Sequence, residues 1–165
     1  MEGLSETIPV VTGILPKRVV FAMVDYEAAT IGQINKNPYF FDHFNLKSFD
    51  LRENGTNAPY SYALEFDFEK NDYLEGYWTL FEGIDKPFIG NSISREDYAK
   101  GNTFLAFDMT PNGECEPFRT ATKNGTLTAR LTWSTVPKNT VALVCFMEFN
   151  KTFRVDKERN IVQAI

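Results

Sequence analysis

Glu96, Asp97, Asp108 and Glu114 are among the carboxylates that crowd the stretch ISREDYAKGNTFLAFDMTPNGECEP at residues 93–117, next to Cys115 and a glycine-bearing turn. Acidic side chains at that density could hold a hard cation, or share the roles of general acid and general base. A calcium loop asks for D-x-D-x-D-G spacing closed by a bidentate glutamate, and DMTPNGECE has neither. The same residues have a structural account. Ser94 followed by Asp97 is a capping box, and Gly101 after Lys100 is a stop, so one helical turn is expected here. Glu96 and Asp97 then sit at the positive end of that turn's dipole. Asp108 falls opposite the apolar side chains of FLAFDM or at a strand end, and Glu114 belongs to the turn PNGE. The stretch reads as architecture.

Other chemistry is as thinly supplied. Glu65 and Asp67 stand two apart in YALEFDF, about 6–7 Å along an extended chain, a spacing some glycosidases use. Any solvated strand face offers it too. A hydrolase on this scaffold would draw on Glu65, Asp67 or Asp108. The single histidine, His43, is bracketed by Phe41 and Phe44 and reads as a strand-edge residue, with no nucleophile elbow nearby. One histidine and two distant cysteines, Cys115 and Cys145, make neither a zinc site nor a disulfide framework. Cys145 in VALVCFM is expected to be a small buried hydrophobe, and Cys115 a free loop thiol, which suits a reducing compartment. No phosphate-binding glycine motif is present. The expectation is a chain without catalytic, metal-ligating or cofactor-binding residues.

Elements that would carry these residues are mostly strands. TLTARLTW alternates cleanly, with Leu127, Ala129, Leu131 and Trp133 on one face and Thr126, Thr128, Arg130 and Thr132 on the other. KNGT before it supplies an Asn-Gly turn. TVALVCFMEF is apolar on both faces and reads as a central strand, followed by TFRVD with Phe153 and Val155 inward. RVVFAMVDY, FNLKSFDLRE with a bulge near Ser48, YALEFDF and TFLAFDMT supply further strands, and ENGTNAP is a turn. One helix is expected over DYLEGYWTLFEG, capped by Asn71, ended by Gly83, with Leu74, Trp78 and Phe81 on its inner face and Tyr73 and Tyr77 flanking. Strands at this spacing with two short helical insertions predict an all-β antiparallel jelly-roll sandwich. One domain spans 1–165, with about 1–14 an irregular or edge-strand lead-in.

Bulk properties agree. A chain of 165 residues buries roughly 70% of its unfolded surface, enough for one core. Fifteen Phe against four Met and two Trp suit a sheet-packed interior. The net charge of −5 is spread evenly, without the cationic cluster that nucleic acid requires. No apolar run reaches the length of a membrane span, and an acidic opening broken by Pro9, Gly13 and Pro16 is no signal peptide. N-x-T sequons occur at Asn54, Asn124 and Asn150, and the two NGT ones, at Asn54 and Asn124, read as turn chemistry rather than sugar sites.

Taken in order, LPKRVVFAMVDYEAATIGQINKNPYFFDHFNLKSFDLRENGTNAPY, YLEGYWTLFEG, NSISREDYAKGNTFLAFDMTP and LVCFMEFNKTFRVDKERN resemble the hexon-like double jelly-roll major capsid proteins of Maverick/Polinton elements and adinto-type viruses. The resemblance runs from about Leu15 to Val162 and corresponds to the second, C-terminal jelly roll. It implies a structural subunit that forms trimers and tiles an icosahedral virion capsid inside the host cell, beside other capsid proteins. Members carry two jelly rolls, so either this is an excised domain or truncated frame, or the first jelly roll is a separate chain. The aromatic clusters Tyr39, Phe40, Phe41 and Tyr73, Tyr77, Trp78 are the expected contact surfaces, since large obligate interfaces are aromatic-rich. Equally, they could close the open end of the sandwich. The alternative function is a jelly-roll module that binds a glycan or a protein.

Overall fold

The computed structural model describes residues 4–83, 92–110, 122–149, 153–155, 157–159 and 161–163. Among these described residues ten strands form two main antiparallel sheets and a hairpin. One sheet holds β1 (Ser5–Ile14), β7 (Asn124–Trp133), β3 (Leu46–Glu53) and β4 (Thr56–Asn57) in that order, with β5 (Leu64–Glu65) also on β3. The other has the order β6 (Phe104–Asp108), β2 (Arg18–Asp25), β8 (Val141–Glu148). β9 (Phe153–Val155) and β10 (Ile161–Gln163) make the hairpin.

Pairing is nested. β1 pairs β7, β2 pairs β6 and β3 pairs β5, each antiparallel, while β7 also pairs β3. That is the pattern of a long hairpin rolled over itself, the jelly-roll way of building two layers. The chain is an all-β antiparallel sandwich. Its layers meet through Phe49 of β3, whose ring centroid lies 5.0 Å from Phe21 of β2 and 5.5 Å from Phe107 of β6. Leu127, Ala129, Leu131 and Trp133 supply the facing side of β7, all buried, as the alternation of TLTARLTW requires. The bulge expected near Ser48 is a register shift between Leu46 and Ser48 against β7. Residues 5–14 are a full edge strand, itself bulged between Pro9 and Val11.

Four expectations change. Among the described residues the TVALVCFMEF strand is not central: β8 pairs only β2, and β2 occupies the middle. Its second apolar face is exposed, and Cys145 is only half-buried. Asn124 and Gly125 are not a turn but open β7, opposite Ile14 and Gly13. YALEFDF is extended as a strand only at Leu64 and Glu65, because Asp67 turns back to bridge Asp72.

Helix α1 (Leu74–Glu82) is capped at Tyr73 rather than Asn71, which takes a left-handed φ of 58°. Its inner face is Tyr73, Gly76, Tyr77, Thr79, Leu80 and Phe81; Leu74 and Trp78 point to solvent. The reason is backbone approach. A Cβ on Gly83 would meet the Ala106 carbonyl of β6, and one on Gly76 would meet the Phe66 ring. The helix therefore lies flat along the β6 edge on its small residues. Helix α2 (Arg95–Tyr98) forms as the capping box dictates: the Asp97 N–H donates to Ser94 Oγ at 3.1 Å, and Ser94 Oγ donates to the Asp97 carboxylate at 2.6 Å.

Candidate functional site

The three-stranded sheet has two edges that are treated oppositely. Lys17, one residue before β2, accepts from the Met109 N–H, which fixes the alternation: odd residues of β2 bond β6, leaving Phe104 and Ala106 with outward-pointing backbone groups. A side chain reaches one backbone group of each. The Ala106 N–H donates to Thr79 Oγ1 of α1 at 3.3 Å, and the Tyr98 hydroxyl of α2 donates to the Phe104 carbonyl at 3.1 Å. Thr79 in turn donates to Gly76 O at 2.7 Å. Tyr98 is fully buried, and that burial drives its hydroxyl pKa far upward, so the proton stays in place to donate. This edge is closed.

At β8 the alternation runs the other way. Tyr26 N–H donates to Thr140 O, so even residues bond β2 and Val141, Leu143, Cys145 and Met147 aim N–H and C=O outward. Among the described residues no strand pairs with them. From Val141 to Met147 the strand has no charge, proline or bulge, the usual devices that blunt an edge. Glu148 ends it, held by Lys17 at 2.7 Å and Arg18 at 3.0 Å. On its outer face Phe146 is 64% and Val144 44% exposed, alongside half-buried Val20 of β2. An open ladder and an apolar stripe thus share one strand.

The expected contact aromatics divide. Tyr39 and Phe40 are exposed, with Phe40 resting over Gly101, whose φ of 96° leaves no room for a Cβ there. Phe41 is half-buried, its ring 4.9 Å from Phe104. Trp78 is exposed. Tyr73 and Tyr77 are not surface residues at all: both are buried, and their hydroxyls donate to the carbonyls of Arg95 at 3.3 Å and Ile93 at 3.0 Å. They hold the 93–95 segment against α1.

The carboxylates do not converge. Glu65 is exposed on β5 of the larger sheet, whereas Asp108 ends β6 of the other and accepts from the Thr110 N–H at 2.8 Å. Asp67 pairs with Lys70 at 2.7 Å in a turn, and Glu96 reaches Lys100 at 3.7 Å. Glu114, Cys115 and the DMTPNGECE loop beyond Thr110 lie outside the described residues, as do the side chains of Phe153 and Val155. Among the described residues no three His, Cys, Asp or Glu side chains group to hold a metal ion, and no helix is long and apolar enough to cross a membrane. His43 sits in the loop before β3 rather than on a strand, stacked on Phe68 with centroids 3.9 Å apart. Its Nδ1 accepts from the Asn45 N–H at 2.9 Å, and burial lowers its pKa against the opposing pull of Asp42.

Sequence reasoning missed a second surface. Tyr60 and Tyr62 precede β5, and Asp72, Leu74, Glu75, Trp78 and Glu82 face them from the helix and its entry, around a groove of about 550 Å³. The signal was available in the spacing of Leu74, Trp78 and Glu82, a stripe wetted on one side, but apolar side chains at helical spacing look like core. The chain matches no protein-family model, no curated protein and no solved structure.

Proposed function

We propose that this chain is a structural subunit of a protein shell, the second jelly roll of a hexon-like capsid protein, working by assembly rather than turnover. The observation that carries the reading is the β8 edge. It joins four residues whose outward backbone groups pair with no strand among the described residues to an exposed Val144–Phe146 stripe on a strand with no charge before Glu148. Main-chain pairing would supply affinity and the stripe would supply apolar burial, about 1.5–3 kcal/mol for each large side chain fully covered. The closed β6 edge supports the same reading, because it leaves that sheet one direction in which to grow. Exposed Tyr39 and Phe40 offer a second contact, which a lattice needs.

The partners proposed are further copies, a first jelly roll, and other coat proteins of a virion assembled inside the host cell. Light scattering of the chain, alone and with a first jelly roll supplied, tests it. Trimers or larger assemblies are expected in the mixture. A chain that stays monomeric in both samples across the micromolar range would refute the reading.

A further inference from the structure

The groove between residues 60–62 and the outer face of α1 has a composition unlike the rest of the surface. Tyr60 and Tyr62 stack at 5.9 Å, and Trp78 stands exposed on the facing helix. Asp72, Glu75 and Glu82 line the same space, and among the described residues no ion pair reaches any of them. Of the cations beside Asp72, Lys70 is committed to Asp67, and Arg95 to the Asn71 carbonyl and the Tyr73 ring. The Tyr60 hydroxyl donates to Glu82 at 2.8 Å, and Tyr62 is held likewise against Glu75; burial first and then its carboxylate raise the pKa of Tyr60, and the bond to Glu75 raises that of Tyr62. Those bonds fix the two rings beside the two carboxylates.

We propose that this groove binds an arginine or lysine side chain carried by an extended segment of a partner protein. Aromatic faces attract a cation through the ring quadrupole, by about 0.5–2 kcal/mol, and a flanking carboxylate adds a charge-assisted hydrogen bond. Trp78 is the strongest such face, and Glu75 and Glu82 lie one turn to either side of it, about 4–6 Å along the axis. A peptide segment fits better than a small free cation because the groove is open and about 550 Å³, room for flanking residues beyond the charged tip. This site is separate from the β8 edge and does not depend on the shell reading.

A capped tripeptide with a central arginine is the probe, followed by NMR shifts of the Trp78 indole and nearby amides. Trp133, the other tryptophan, is buried and serves as the internal reference. The arginine peptide is expected to bind at least tenfold more tightly than the same peptide with neutral citrulline. Trp78→Ala, and separately Glu75→Gln with Glu82→Gln, are each expected to weaken it at least tenfold; those side chains are outside the core, so the fold persists. Equal binding of the citrulline peptide, tetramethylammonium binding as tightly as the peptide, a neutral oligosaccharide shifting the same signals, or no shift with arginine would each overturn the proposal.

Discussion

Thr79→Val removes one hydroxyl and nearly no volume, at a position 1% exposed. The hydroxyl both donates to Gly76 O and accepts the Ala106 N–H, so valine strands a buried backbone donor at the β6 edge. An unsatisfied buried group costs about 1–3 kcal/mol. With a urea slope of about 2 kcal/mol/M, the unfolding midpoint is expected to fall by roughly 0.5–1.5 M. Thr79→Ser keeps the hydroxyl and loses a methyl, so only about 1 kcal/mol should go. Hydrogen exchange at the Ala106 amide separates the two: at least tenfold faster in Thr79→Val, near the parent rate in Thr79→Ser. A Thr79→Val protein within about 0.5 kcal/mol of the parent, with Ala106 exchange unchanged, would refute the idea that α1 seals this edge chemically.

Phe146→Lys, on the exposed face of β8, should change stability by no more than about 0.5 kcal/mol yet abolish association; urea unfolding and light scattering read the two effects separately, and undiminished assembly would contradict the edge model. Gly83→Ala forces a methyl against the Ala106 backbone, so a loss of about 1–3 kcal/mol in thermal or urea unfolding is expected. His43 has its pKa lowered in the fold by burial, so the unfolded chain binds more protons between the folded value and the ordinary 6.5. Stability should therefore fall as pH drops from 6.5 towards that folded value and level off below it. His43→Gln should remove that part of the pH slope, measured as urea midpoints at several pH values; an unchanged slope would refute the assignment.

Where one residue type had one physical outcome, the sequence was readable. β7 alternates because one face meets the other sheet, and Ser94 with Asp97 needs no distant partner to cap α2. The errors share a cause: local pattern reports that a surface is apolar, not what covers it. Leu74 and Trp78 look like a buried stripe, yet α1 turns Thr79 and Gly83 to β6, where a Cβ on Gly83 would meet the Ala106 backbone, and sets Gly76 against Phe66. Tyr73 and Tyr77 became core because their hydroxyls found carbonyls at residues 93 and 95, a pairing set by tertiary position. β8 looked central for the same reason that makes it informative now. The groove between residues 60–62 and α1 was invisible because it joins segments whose approach depends on the Asp67–Asp72 turn.

The treatment of strand edges is uneven in a way that favours a directed contact. β1 carries Pro9, a bulge and Glu6, so its free edge is poorly suited to pairing. β4 and β5 are two residues each, too short to template a strand. β6 is sealed by Thr79 and Tyr98. Only β8, among the described main-sheet edges, is long, straight and uncharged between Val141 and Met147. A free monomer with such an edge would be prone to non-specific pairing, and charge placed at Lys17, Arg18 and Glu148 is spent on one another at its end rather than along it. Among the described main-sheet edges β8 is the one left open while the others are blocked, so the assembly proposed above would add its partner strand along β8.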